Sequence, residues 1–132
     1  MNFRPDPSFY PSPRLAMQAP LAQFASFKLP LEDIKALAGS PPDTLALIDS
    51  AIGRVLTAVT AIEPPEELIE AHALFVSAVS LAQNAAAIRR EATMAANIQR
   101  AWDASSAAAG ALMLGAKART DIQKLLRRPQ LQ

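Results

Sequence analysis

Apolar residues recur at helical spacing through the middle of the chain. Leu45, Ile48, Ile52, Val55, Val59 and Ile62 are separated by three, four, three, four and three positions, the rhythm of a helix with one buried seam. That pattern predicts a helix over about 41–62. Ser40 suits its N-cap, Pro41 the first helical position and Asp43 the positive end of the helix. Glu63-Pro64-Pro65-Glu66 then stops this helix and starts the next, with Glu66, Glu67 and Glu70 favourable in its first turns. Beyond it two adjacent stripes appear. Leu68, His72, Phe75, Val79, Ala82 and Ala86 form one; Ala71, Leu74, Ala78, Leu81, Ala85 and Ile88 form the other. A helix apolar over so wide an arc packs on two neighbours.

No proline follows until Pro129 and no glycine until Gly110. A single helix over 66–128 would be about 95 Å long at about 1.5 Å per residue. Globular helices average about 11–12 residues, which favours a break. The capping side chains of Asp103-Ala-Ser-Ser106 predict it there, with Arg89-Arg90-Glu91 as the alternative. Towards the N-terminus, Pro5, Pro7, Pro11 and Pro13 exclude helix and central strand locally and favour extended or polyproline conformation. The expected architecture is an all-α bundle of three or four antiparallel helices over 31–128, preceded by an extended Pro-rich arm over 1–30. Its helices are predicted at about 31–38, closed by Gly39, then 41–62, 66–102 and 105–127.

Composition sharpens this picture. About a fifth of the chain is alanine, and only one Trp, one Tyr and five Phe accompany it. Alanine is the strongest helix former but buries little area, so the helices are expected to approach closely at small residues. Ser106/Gly110 and Ala111/Gly115 have the four-residue spacing that permits this. Residues 1–88 hold five Lys/Arg against nine Asp/Glu, whereas 89–132 hold eight against three. Halves of opposite sign point to packing between helices or between copies. The absence of cysteine excludes disulfides, thiolate zinc sites and cysteine nucleophiles. The stretch from Leu15 to Phe27 is interrupted by Pro20 and followed by Lys28, a poor signal-peptide core. No run approaches the ~20 apolar residues of a membrane span. A soluble, cytoplasmic protein is expected.

Candidate chemistry is sparse. His72 is the only histidine. A general base needs a nucleophile or an orienting carboxylate in reach; the facing helix offers only hydroxyls such as Ser50, Thr57 and Thr60. Ile69 stands where a ferritin-like Glu-x-x-His pair needs its glutamate. The acidic group Glu63, Glu66, Glu67 and Glu70 lacks the loop glycine of a calcium site, and helix-dipole chemistry accounts for it. Arg89, Arg90 and Arg100 near Trp102 could neutralise phosphates and stack on bases, but a lone tryptophan at helical spacing is more often core or interface. No metal, cofactor or catalytic site is expected, and nucleic acid is not the expected partner.

Two segments resemble known families. Residues 6–20, Asp6-Pro-Ser-Phe-Tyr-Pro-Ser-Pro-Arg-Leu-Ala-Met-Gln-Ala-Pro20, resemble the N-terminus of the selenium-binding protein (methanethiol oxidase) family. That family is a β-propeller, and the helical pattern here carries over neither its fold nor its activity. Residues 64–74, with Pro64-Pro65-Glu66-Glu67-Leu68, His72 and Leu74, resemble the start of a long helix in small helical-bundle lipoproteins and secreted proteins of bacteria. This second resemblance implies an all-α fold; the sequence has no cysteine to lipidate, and no signal peptide is expected.

The function expected is that of a non-enzymatic interaction or scaffold protein that binds a protein partner or another copy of itself. Its anchors are Phe9 and Tyr10 in the arm and Trp102 on the helix, since aromatic side chains dominate interface energetics. The alternative is a small-molecule-binding bundle whose apolar pocket is lined by Phe75, Val79 and Leu81, with His72 as polar handle.

Overall fold

The computed structural model describes residues 13–127, and all their regular structure is helical. Six α-helices follow in order: α1 (Pro13–Ala16), α2 (Gln18–Ala25), α3 (Lys28–Lys35), α4 (Pro42–Thr60), α5 (Ile69–Ala95) and α6 (Ile98–Leu126). A 3-10 turn, Glu66–Leu68, leads into α5. Helix α5 packs on both α4 and α6, while α2 touches α4 and α3 lies along α6. The three short helices thus form one stepped member beside three long ones. This is an all-α bundle, as the periodicity predicts.

The N-terminal region departs from expectation. Residues 13–30, predicted as part of an extended arm, are helical from Pro13 onward. Pro20 and Pro30 explain the difference, because each is the third residue of its helix, α2 and α3 respectively. In a first turn the amide that proline lacks has no intrahelical partner anyway. These prolines therefore restart the helix rather than prevent it. Met17, Leu21, Phe27, Leu31 and Ile34 are all buried, and their burial against the long helices holds the steps in place.

Two ends also differ. Helix α3 is closed not by Gly39 but by Leu37, which takes a left-handed conformation at φ 62°. The Leu37 amide donates to the Ile34 carbonyl and the Ala38 amide to the Asp33 carbonyl, a Schellman pattern usually built on glycine. Helix α4 begins at Pro42, with Pro41 at its cap, one residue later than expected.

The break in the long C-terminal region lies at Ala96–Asn97 and not at 103–106. Ala96 is left-handed, at φ 51° and ψ 41°, and Asn97 is the N-cap of α6, accepting from the amides of Gln99 and Arg100. The capping candidates downstream are engaged otherwise. Ser105 Oγ donates to the Lys35 carbonyl at 2.6 Å, and Asp103 pairs with Arg100.

Burial follows the predicted seams. Leu45, Ile52, Val55 and Val59 of α4 are buried, as are Ala71, Phe75, Ala78, Val79, Ala82, Ala85 and Ala86 of α5. On α6 the buried positions are Ala101, Ala104, Ala108, Ala111, Gly115, Ala118 and Ile122. The α5–α6 seam is therefore lined almost wholly by small side chains on the α6 side, which lets the backbones approach closely. Of the expected small pairs, Ala111 and Gly115 are both buried, Gly115 beneath the Phe24 ring of α2, whereas Ser106 is exposed. Among the described residues one stretch, Glu66–Ala95, is long and apolar enough to cross a membrane, its most apolar 18-residue window reaching a mean hydropathy of 1.3. In the bundle that apolar arc is turned on α4 and α6, the composition expected of a core helix.

Candidate functional site

The buried face of α6 is alanine and glycine from Ala101 to Ala118, with Ile122 beyond it, and three of the large apolar side chains of this helix are exposed. Ile98 is 69% exposed, Trp102 55% and Met113 70%. This inverts the usual allocation of apolar bulk to the interior. At the start of α6 the inversion is concentrated. Met94, Ile98 and Trp102 are three of the eight large apolar side chains exposed among the described residues, and they fall within nine positions of sequence.

The neighbouring elements stop short of this end. Helix α3 terminates level with Ser105, through the hydrogen bond to Lys35, and the following loop meets α5 where Gly39 lies against the Arg89 guanidinium. From Thr93 to Gln99 every residue is exposed. Ile98 and Trp102, four apart, share one face of α6. The two-residue connection is firm, held by the Asn97 cap and by the Asn97 amide, which donates to the Ala92 carbonyl at 2.9 Å.

An ion network ties the hairpin together. Arg100 donates to Glu91 at 2.8 Å across the two helices and to Asp103 at 3.4 Å along α6. Glu91, first by hydrogen bond and then by charge, raises the Arg100 guanidinium above its ordinary value, and Asp103 adds to the effect. Arg100 thus engages both Glu91 and Asp103, and among the described residues Arg90 is within ion-pair distance of no carboxylate. The remaining cation, Arg89, is half-buried, and its Nε has no hydrogen-bond partner among the described residues.

The residues expected around His72 do not converge on one pocket. Nε2 of His72 lies 2.8 Å from the Val59 carbonyl, which can only accept, so Nε2 carries the proton. Phe75 and Val79 have no exposed surface. Phe75 is packed edge-to-face against Phe24, ring centroids 5.6 Å apart. Leu81, nine residues after His72, lies on the opposite side of α5 and approaches Gly110 of α6. Two of the three facing hydroxyls serve their own helix, Thr57 donating to the Gly53 carbonyl and Thr60 to the Leu56 carbonyl, and Ser50 is exposed. Phe9 and Tyr10 lie outside the described residues.

Compared with known proteins, the chain matches no family model, no curated protein and no solved structure.

The geometry of the described residues is thus the whole basis for a functional reading. They contain no group of three or more His, Asp or Glu side chains arranged to hold a metal ion. What they present is a rigid, nearly neutral helical end carrying three large apolar side chains. Of the anchors predicted from sequence, Trp102 is at this end. Met94 and Ile98 are not among the expected anchors, because the expected helix break at 103–106 falls about two turns after the observed one.

Proposed function

We propose that this chain is a non-enzymatic interaction protein that assembles with a second copy of itself through the α5–α6 hairpin end. The observation that carries the reading is the joint exposure of Met94, Ile98 and Trp102 on a capped, ion-paired hairpin. Side chains carried on an already ordered helical backbone lose only their own rotamer freedom on binding. Tryptophan is the residue most enriched among energetic anchors, and methionine adapts to an imperfect partner surface.

A second copy is favoured by charge. Two such ends meet without strong like-charge repulsion, because Arg89, Arg90 and Arg100 stand with Glu91 and Asp103, a local excess of only one positive charge. The same patch on both partners is the arrangement of a two-fold dimer, the commonest form of soluble assembly. In this reading Phe9 and Tyr10, in the segment before Pro13, supply a second contact, and the assembly operates in the cytoplasm.

Trp102 is the only tryptophan, so the protein carries its own reporter. Light scattering coupled to size-exclusion chromatography, at about 1 and about 100 µM protein, is expected to show mass rising towards that of a dimer. Tryptophan emission should shift to the blue over the same range. Combined Ile98→Glu and Trp102→Glu should leave a monomer with unchanged far-ultraviolet circular dichroism, since both side chains are exposed. A wild-type monomer at the higher concentration, or a double variant that still dimerises, would refute the proposal.

A further inference from the structure

A second feature lies away from the hairpin end. Between the stepped α2–α3 member and α6 runs a cleft of about 310 Å³, at the lower end of the range for small-ligand sites. Its apolar wall comes from Leu21, Phe24, Leu31 and Leu112, and its floor from Gly115 and Ala116. The floor is low for a reason legible in the sequence. Gly115 has no side chain, and the Phe24 ring rests directly on it.

The polar groups of the same cleft are Lys28, Lys35, Arg119 and one carboxylate, Glu32. Among the described residues none of these three cations is within ion-pair distance of a carboxylate. Lys28 and Lys35, seven apart, share one face of α3, and Arg119 stands on α6. An apolar trough edged by an excess of two positive charges is complementary to one class of ligand. Leu21 and Arg119 also line an adjoining groove that continues past Gln123 to Leu126 and Arg127, so the trough extends along α6 and its cationic edge extends with it.

We propose that this cleft binds a single-chain amphiphile with a carboxylate head, the chemistry of a free fatty acid. The apolar tail lies against Phe24, Leu31 and Leu112, and the head is held by Lys28 and Arg119. A peptide helix, about 10–12 Å across with its side chains, is a poor fit to a space of this size. The inference does not depend on the dimer, because neither Ile98 nor Trp102 lines the cleft.

The test uses the full chain and displacement of dansylaminoundecanoate, a fluorescent carboxylate amphiphile. Two competitors of equal tail length, dodecanoate and dodecyltrimethylammonium, are compared below their micelle concentrations. Dodecanoate is expected to compete saturably at one site per chain, and the trimethylammonium compound about tenfold or more weakly, a difference of about 1.4 kcal/mol. Lys28→Glu with Arg119→Glu should weaken dodecanoate about tenfold or more and erase the preference for it. Ala116→Trp fills the floor and should abolish binding. Ala25→Trp fills the opposite wall from a second exposed position, so loss of binding with retained circular dichroism in either variant supports the site. Ile98→Glu with Trp102→Glu should bind as wild type. Equal affinity for the two heads, full binding by both tryptophan variants, or no saturable binding overturns the proposal. Association with phosphatidylglycerol vesicles that dodecanoate does not compete away would assign the cationic edge to a membrane surface and overturn it as well.

Discussion

Gly115→Ala should destabilise the protein, although the same change in an exposed helix normally does the opposite. Alanine is favoured over glycine in a helix interior by about 1 kcal/mol. At position 115, however, an added Cβ would run into Cε1 of Phe24, with Cζ at 3.1 Å and Cδ1 at 3.4 Å. The ring can withdraw only towards the cleft it lines, at the cost of its contacts with two other rings. It is wedged edge-to-face against Phe75, centroids 5.6 Å apart, and against Phe27 at 6.3 Å. Overpacking a fixed core costs about 1–3 kcal/mol, and disturbed aromatic pairs about 0.5–1.5 kcal/mol each. The balance is a loss of about 1–2 kcal/mol. Two other helical glycines provide the controls. At Gly53 the obstacle is the side-chain amide of Gln83, 2.9 Å away, the end of a flexible chain that can swing aside. Gly53→Ala should therefore gain close to the full ~1 kcal/mol. At Gly110 the neighbour is Leu81 Cδ1 at 3.3 Å, so that change should fall between the two. Urea melts followed by circular dichroism read the order directly. A change of 1 kcal/mol moves the midpoint by about 0.5 M at the usual slope. In a Phe24→Leu background the obstruction is gone and Gly115→Ala should turn stabilising, which a double-mutant cycle isolates. A Gly115→Ala midpoint raised as far as that of Gly53→Ala would refute the packing argument.

The hairpin connection yields two more expectations in the same assay. Ala96→Gly should stabilise by about 1 kcal/mol, because the left-handed conformation at φ 51° is penalised for any side chain but not for glycine. Asn97→Ala should cost about 1 kcal/mol through loss of the two amide bonds its side chain accepts at the start of α6; an unchanged midpoint would show that the cap contributes nothing.

The architecture was readable wherever burial has a period. Leu45, Ile52, Val55 and Val59, and Leu68, Ala71, Phe75, Ala78, Val79, Ala82, Ala85 and Ala86, are buried as their spacing predicts, while Ile48, Leu74 and Leu81 are half-buried at the edges of the stripes. Proline was misread at residues 13–30. Its effect depends on whether it falls in the first turn of a helix or its middle, and the first turn is recognisable only once Met17, Leu21, Phe27 and Leu31 are seen to be buried together. The α5–α6 break had a visible signal in Asn97, a strong capping residue, but neither glycine nor proline accompanied it. Asp103, Ser105 and Ser106 are an equally good signal, but Asp103 and Ser105 are engaged elsewhere and Ser106 is exposed within α6. The cleft was beyond reach for a different reason: its walls come from segments about ninety residues apart, and one of them was expected to be extended. Phe75 and Val79 drew attention as pocket residues because large apolar groups line pockets, yet on a central helix those same groups fill the core.

The inverted allocation on α6 bears directly on the assembly. Closing the α5–α6 seam with Ala101, Ala104, Ala108 and Ala111 uses little apolar area per residue, while Ile98, Trp102 and Met113 stay outside. Nothing in the folding of one chain requires those three to be apolar. If Ile98 and Trp102 serve a second copy, their contribution is absent from the isolated chain and present only in the dimer. Mass action then separates the two cases. Wild-type stability should rise with protein concentration by about 1.4 kcal/mol per dimer for each tenfold increase. Ile98→Glu with Trp102→Glu should remove that dependence and, in dilute solution, unfold at the same midpoint as wild type. A wild-type midpoint independent of concentration counts against the dimer. A double variant already weakened in dilute solution would mean instead that the two side chains pack within their own chain.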